Sequence, residues 1–81
     1  MELKDTVELM NSDDYKERLK AEYYQTKIRY DSLRKMLIKL EAKTIDFEPV
    51  SGSSVLEDQL YYMENYLRVL EVRAEIEKIE L

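Results

Sequence analysis

The chain contains no cysteine and no histidine. Without cysteine there is no disulfide and no thiolate metal site to staple a small fold. Without histidine the commonest metal ligand and the usual acid–base catalyst near neutral pH are missing. Gly52 is the only glycine and Pro49 the only proline, which excludes a glycine-rich loop of the Walker or dinucleotide-binding kind. Ser51, Ser53 and Ser54 surround that glycine but have no histidine to activate them as nucleophiles. No apolar run exceeds a few residues, so the sequence predicts neither a membrane span nor a signal-peptide core. The carboxylate pairs Asp13-Asp14 and Glu57-Asp58 are sequence neighbours, and such neighbours do not face one another on a helix. Both also fall where helix starts are expected. These absences predict a cytoplasmic protein that is not an enzyme, with no catalytic residue, metal or cofactor.

What is present is heptad spacing. Leu19, Tyr23, Thr26, Tyr30, Leu33, Leu37 and Leu40 alternate steps of four and three, as do Leu56, Leu60, Met63, Leu67, Leu70 and Ala74. Such spacing keeps a stripe of side chains on one side of a helix, facing a partner helix. Between the stripes, Phe47-Glu48-Pro49-Val50-Ser51-Gly52-Ser53-Ser54 continues neither helix. The expected fold is all-α in one domain: a short helix over about 2–10, a long helix over about 13–42, a loop over 43–54 and a long helix over about 55–79. The two long helices form an antiparallel hairpin. Ser12 or Asp13 is expected to cap the first long helix. Ser54-Val55-Leu56-Glu57 has the form of a capping box for the second, whose last turn is expected to fray. Phe47 and Ile45 are the apolar anchors of the loop.

The last helix carries a second stripe: Val55, Tyr62, Tyr66, Val69 and Ile76. A helix apolar on more than one face is usually covered on more than one face. The cover would be the short first helix, a second subunit, or both; the alternative is a compact three-helix monomer. A chain of 81 residues with no staple commonly gains stability by oligomerising. A homo-oligomer is therefore expected, with Tyr62, Tyr66 and Val69 at a subunit contact.

The net charge of −5 at pH 7 conceals an asymmetry. Residues 16–43 carry nine basic against four acidic side chains; residues 57–80 carry seven acidic against three basic. An acidic protein of this kind does not suit duplex nucleic acid. A small anionic ligand, or a partner helix of opposite charge, fits the split better. Seven tyrosines add a further element. Aromatic faces beside cations suit a nucleobase with its phosphate, through stacking and charge. Tyr15 stands at a helix start, where free N–H groups favour phosphate. Lys27 and Arg29 lie three to four turns further on. Two antiparallel helices from different subunits would bring them to Tyr15.

The run from Tyr24 to Leu37 includes Lys27-Ile28-Arg29-Tyr30 and Leu33-Arg34-Lys35-Met36-Leu37. After the loop with Phe47 come Glu57-Asp58-Gln59-Leu60, Met63, Tyr66, Val69-Leu70 and Arg73. Together these segments resemble the two long helices of a family of short tailed-phage proteins. That family includes the anti-CBASS sponge of cyclic oligonucleotides and related short proteins of crAss-like phages. The resemblance covers about residues 13–76. It implies a compact helical homo-oligomer, often a hexamer, acting in the cytoplasm of an infected bacterial cell. It also implies sequestration, without turnover, of the cyclic di- or trinucleotide signals of antiphage immunity. By this resemblance Tyr15 and either Lys27 or Arg29 would bind a cyclic dinucleotide, and Arg73 would contribute to a trinucleotide pocket. Thr26 stands where the family more often has an apolar residue, and the loop is longer than the family's usual one. The alternatives are a small protein–protein interaction module, such as an inhibitor of a host enzyme, and a purely structural coiled-coil oligomer.

Overall fold

The computed structural model describes all 81 residues. It is entirely helical. A 3-10 turn, Leu3–Thr6, runs into a single α-turn, α1 (Val7–Met10); two long helices follow, α2 (Tyr15–Glu41) and α3 (Ser53–Glu77). No strand is present, and no helix is long and apolar enough to cross a membrane.

The expected short helix over 2–10 is thus a 3-10 turn followed by one α-turn. Nucleating so short a helix is unfavourable, and side chains close the turn instead. The Glu2 N–H donates to Asp5 Oδ2 (2.8 Å), and Thr6 Oγ1 donates to the Leu3 carbonyl (2.7 Å). The cap of α2 is Asp14 rather than Ser12 or Asp13; its carboxylate accepts from the Lys16 N–H at 3.0 Å. Ser12 braces the turn before it, accepting from the Asp14 N–H (3.0 Å) and donating to Glu17 (2.9 Å).

α3 begins two residues earlier than the capping box implies. Gly52, at φ 80°, turns the chain so that its own carbonyl receives the Leu56 N–H. Ser54 then lies inside the helix and cannot cap it. The last turn of α3 is closed rather than frayed. Lys78 adopts the left-handed conformation (φ 57°), and the Ile79 N–H returns to the Ala74 carbonyl at 2.8 Å. Lys43 (φ 60°) ends α2 likewise, with the Thr44 N–H on the Lys39 carbonyl at 2.9 Å. Both are glycine-type helix stops occupied by lysine.

The start of α2 meets the end of α3. Leu19 packs with Ala74 and Ile79, and Tyr23 packs with Leu67 and Leu70. Tyr15 bonds Glu77, and Tyr23 bonds Glu71. The heptad stripe therefore holds the core, but unevenly. Its members nearer the loop (Leu33, Leu37, Leu40, Leu56, Leu60 and Met63) are only half-buried.

The N-terminal segment packs on α2 and makes no contact with α3. Ala21, completely buried, and Thr6 lie in that seam. Ala21 stands on the side of α2 away from the heptad stripe, so α2 is sandwiched and α3 is covered on one side only. The first helix does not cover the second apolar stripe of α3. Tyr62, Tyr66 and Val69 are 68%, 42% and 46% exposed, with Val55 and Ile76 exposed beside them.

The resulting shape is elongated, 43 × 24 × 18 Å. The radius of gyration is 14.9 Å, against about 12 Å for a compact chain of this length. The accessible surface is 6236 Å², whereas a compact monomer of this mass exposes about 5,200 Å². The excess, about 1,000 Å², is of the same order as the area that one partner contributes to a standard interface, about 800 Å².

Candidate ligand site at the paired helix ends

Tyr15 opens α2 and Glu77 closes α3, so the opposed directions of the two helices bring them together. Tyr15 Oη donates to Glu77 Oε1 at 2.7 Å. One turn back along α3, Arg73 Nε donates to Glu77 Oε2 at 3.2 Å. Both oxygens of one carboxylate are thus engaged, by a phenol and a guanidinium. The Tyr15 hydrogen bond is the main cause of a Glu77 pKa below the ordinary carboxylate range; desolvation by burial opposes it, and Arg73 and then Lys16 add to it. The same hydrogen bond is the main cause of a raised Tyr15 phenol pKa. The Tyr15 ring itself remains about half exposed.

Lys27 lies elsewhere. It is twelve residues along α2 from Tyr15, roughly 18 Å by helical rise. Its ammonium pairs with Asp31 (3.3 Å) and sits 5.6 Å from the centre of the Tyr30 ring. It borders a cleft of about 180 Å³ with Tyr23, Tyr30, Glu64, Leu67 and Glu71. Two carboxylates and the pairing with Asp31 offset its charge, so this cleft alone does not suit a phosphate. Tyr23 is fixed within it: its hydroxyl donates to Glu71 Oε2 at 2.9 Å. Burial, and then that hydrogen bond, push the Tyr23 phenol up to about 12. Arg29 is exposed and makes no hydrogen bond or ion pair within the chain. One chain therefore joins Tyr15 with Arg73 and leaves Lys27 and Arg29 apart from both.

The largest cavity, about 410 Å³, lies at the far end among Leu40, Glu48, Pro49, Gly52 and Ser53. A neighbouring one of about 270 Å³ is lined by Leu37, Leu40, Glu41, Ser53 and Glu57. Neither has a cation, and carboxylates line both, so neither suits an anion. No group of acidic side chains is arranged to hold a metal ion.

A family model described as Sequestin matches residues 13–76. The chain belongs to the Sequestin family. No curated protein matches it, and no solved structure does. The matched span takes in α2, the loop and nearly all of α3, including Tyr15, Lys27, Arg29 and Arg73. It stops just short of Glu77. That residue escapes sequence reasoning because it is one acid in an acidic stretch. The sequence cue is the antiparallel arrangement: with Tyr23 against Glu71, Tyr15 two turns earlier on α2 falls near the last turn of α3, which includes Glu77.

Proposed function

We propose that the chain is a phage-encoded sponge that binds and sequesters cyclic oligonucleotide second messengers of bacterial immunity, without turnover. Membership of the Sequestin family is the observation that carries this reading, the family name itself denoting sequestration. In this reading the unit is the antiparallel α2–α3 hairpin. Copies of it assemble through the outer stripe of α3 in the cytoplasm of the infected cell.

The geometry supports the reading in three ways. Tyr15 offers a ring face with its hydroxyl already oriented. Arg73 stands one turn after Val69 and two after Tyr66, so it shares the face expected to meet another subunit. The distance between Tyr15 and Lys27 or Arg29 requires that a second chain complete the dinucleotide site. The base would stack on Tyr15, and the cation from the neighbouring subunit would pair with a phosphate.

The test is native mass spectrometry and calorimetry of the purified protein with cyclic di-adenylate, cyclic di-guanylate and cyclic tri-adenylate. Bound nucleotide should be recovered chemically unchanged after heating. Base–aromatic stacking contributes ~1–3 kcal/mol, so Tyr15→Ala should weaken dinucleotide binding about tenfold while the assembly mass is retained. Absence of binding across the panel, or appearance of hydrolysis products, refutes the sponge reading. Specific capture of a single host enzyme by a protein that binds no nucleotide would instead establish the interaction module.

A further inference from the structure

We infer that Glu77 is an internal competitor for the anionic ligand: its carboxylate occupies Tyr15 and Arg73 in the free protein, and ligand binds by displacing it. The inference rests on the sponge reading for the identity of the ligand and on the geometry of the helix ends for the role of Glu77.

The carboxylate presents two oxygens and one negative charge to a phenol 2.7 Å away and a guanidinium 3.2 Å away. A phosphodiester presents the same feature with its two non-bridging oxygens. A phenol has one proton to donate, and that of Tyr15 is already committed to Glu77. Arg73 uses one N–H on Glu77 and keeps the rest of its five donors, so an arriving phosphate finds the guanidinium in place and partly neutralised.

The position of Glu77 is not explained by the helix. It is the last residue of α3, where the negative end of the helix dipole disfavours an acid. A cation there would serve the helix better. The companion pair differs: Tyr23 is buried between the helices and bonds Glu71 as part of the core. Tyr15 is about half exposed, so its pairing closes no core. Glu77 thus holds the Tyr15 ring in one orientation and shields the Arg73 charge, on a side chain 26% exposed at a helix end. A singly charged metabolite gains little by exchanging for a carboxylate already in place. A ligand with two or three phosphates and stacking bases gains the exchange and the further contacts together, which gives the site a preference for the larger anion.

The experiment compares the full-length protein with Glu77→Gln and Glu77→Ala by calorimetry against cyclic di-adenylate, cyclic di-guanylate and cyclic tri-adenylate, with thermal melts of each protein alone. The competing pair is partly exposed, so its removal should tighten binding by roughly 1.5-fold to fivefold, and should do so without raising Tm. Binding by either variant where the wild type shows none also supports the inference. A purely structural Glu77 would lower affinity and Tm together. Wild-type affinity equal to or tighter than that of both variants overturns the role of Glu77 and leaves the sponge reading standing. Failure of all three proteins to bind any member of the panel overturns the sponge reading, and the role of Glu77 with it.

Discussion

Tyr23 should make the fold sensitive to alkali. Its ring is buried against Leu67 and Leu70, and its hydroxyl donates to Glu71. Loss of its proton would leave a phenolate at the edge of an apolar seam, beside a carboxylate. The folded chain therefore holds this proton more tightly than the unfolded chain, with a pKa of about 12 against the ordinary 10.0. For a group raised in this direction the stabilisation is complete below the unfolded pKa. It is lost as the pH climbs from 10 through about 12. A difference of about two units corresponds to about 3 kcal/mol, a large part of the stability of so small a domain. Tyr15 acts with the same sign but is exposed, and solvent screens its contribution. Tyr23→Phe keeps the ring in the seam and removes the proton. It should cost about 1 kcal/mol at neutral pH and abolish most of the alkaline loss. Urea unfolding followed by far-UV circular dichroism, from neutral pH to just below pH 12, measures both. Parallel decline of the two proteins with pH would refute the assignment.

Other outcomes follow from the packing. Tyr66→Glu places a charge on the exposed stripe of α3; an uncompensated buried charge costs ~3–5 kcal/mol, so subunit dissociation should strengthen by at least about a hundredfold. Light scattering should show a multiple of 9.8 kDa for the wild type and 9.8 kDa for the variant; a wild-type monomer at micromolar concentration would remove the assembly from the account. Leu70→Ala empties a fully buried site and should cost ~2–5 kcal/mol, whereas Leu33→Ala, at a half-buried site, should cost distinctly less in chemical denaturation unless a second subunit covers it. Lys78→Gly should stabilise the fold by about 0.5–1 kcal/mol, because a left-handed helix stop suits glycine and strains lysine; an unchanged or lowered Tm would contradict the strained closure of α3.

The helices and their mutual face were legible because a stripe of large apolar residues repeats with the helical period. Leu19, Tyr23, Leu67, Leu70 and Ala74, all stripe members, are the residues buried between α2 and α3. The docking of the N-terminal segment was not legible. Its seam rests on Ala21 and Thr6, small side chains that leave no periodic hydrophobic trace. Ser54 and Glu57 have capping-box spacing, which predicts a start at Val55, while the backbone freedom of Gly52 admits the earlier start at Ser53. At the candidate site, the sequence marks Tyr15 and Arg73 separately, and only the opposed registers of two helices show that they share Glu77. Lys27 pairs with Asp31 in an ordinary i,i+4 contact that the sequence contains but charge counting passes over.

The loop and the Tyr15–Arg73–Glu77 cluster stand at opposite ends of a rod 43 Å long. Little of the apolar core lies in the half nearest the loop. Residues 43–52 can therefore lengthen, shorten or change composition with almost no mechanical consequence for the cluster. Val50 is fully exposed at the tip. A fluorophore attached there would report on tumbling and assembly without touching the helix ends. Over evolutionary time the same separation gives the lineage a segment in which to accumulate indels or to acquire an appended module. Throughout such change the residues at the other end would experience the same surroundings.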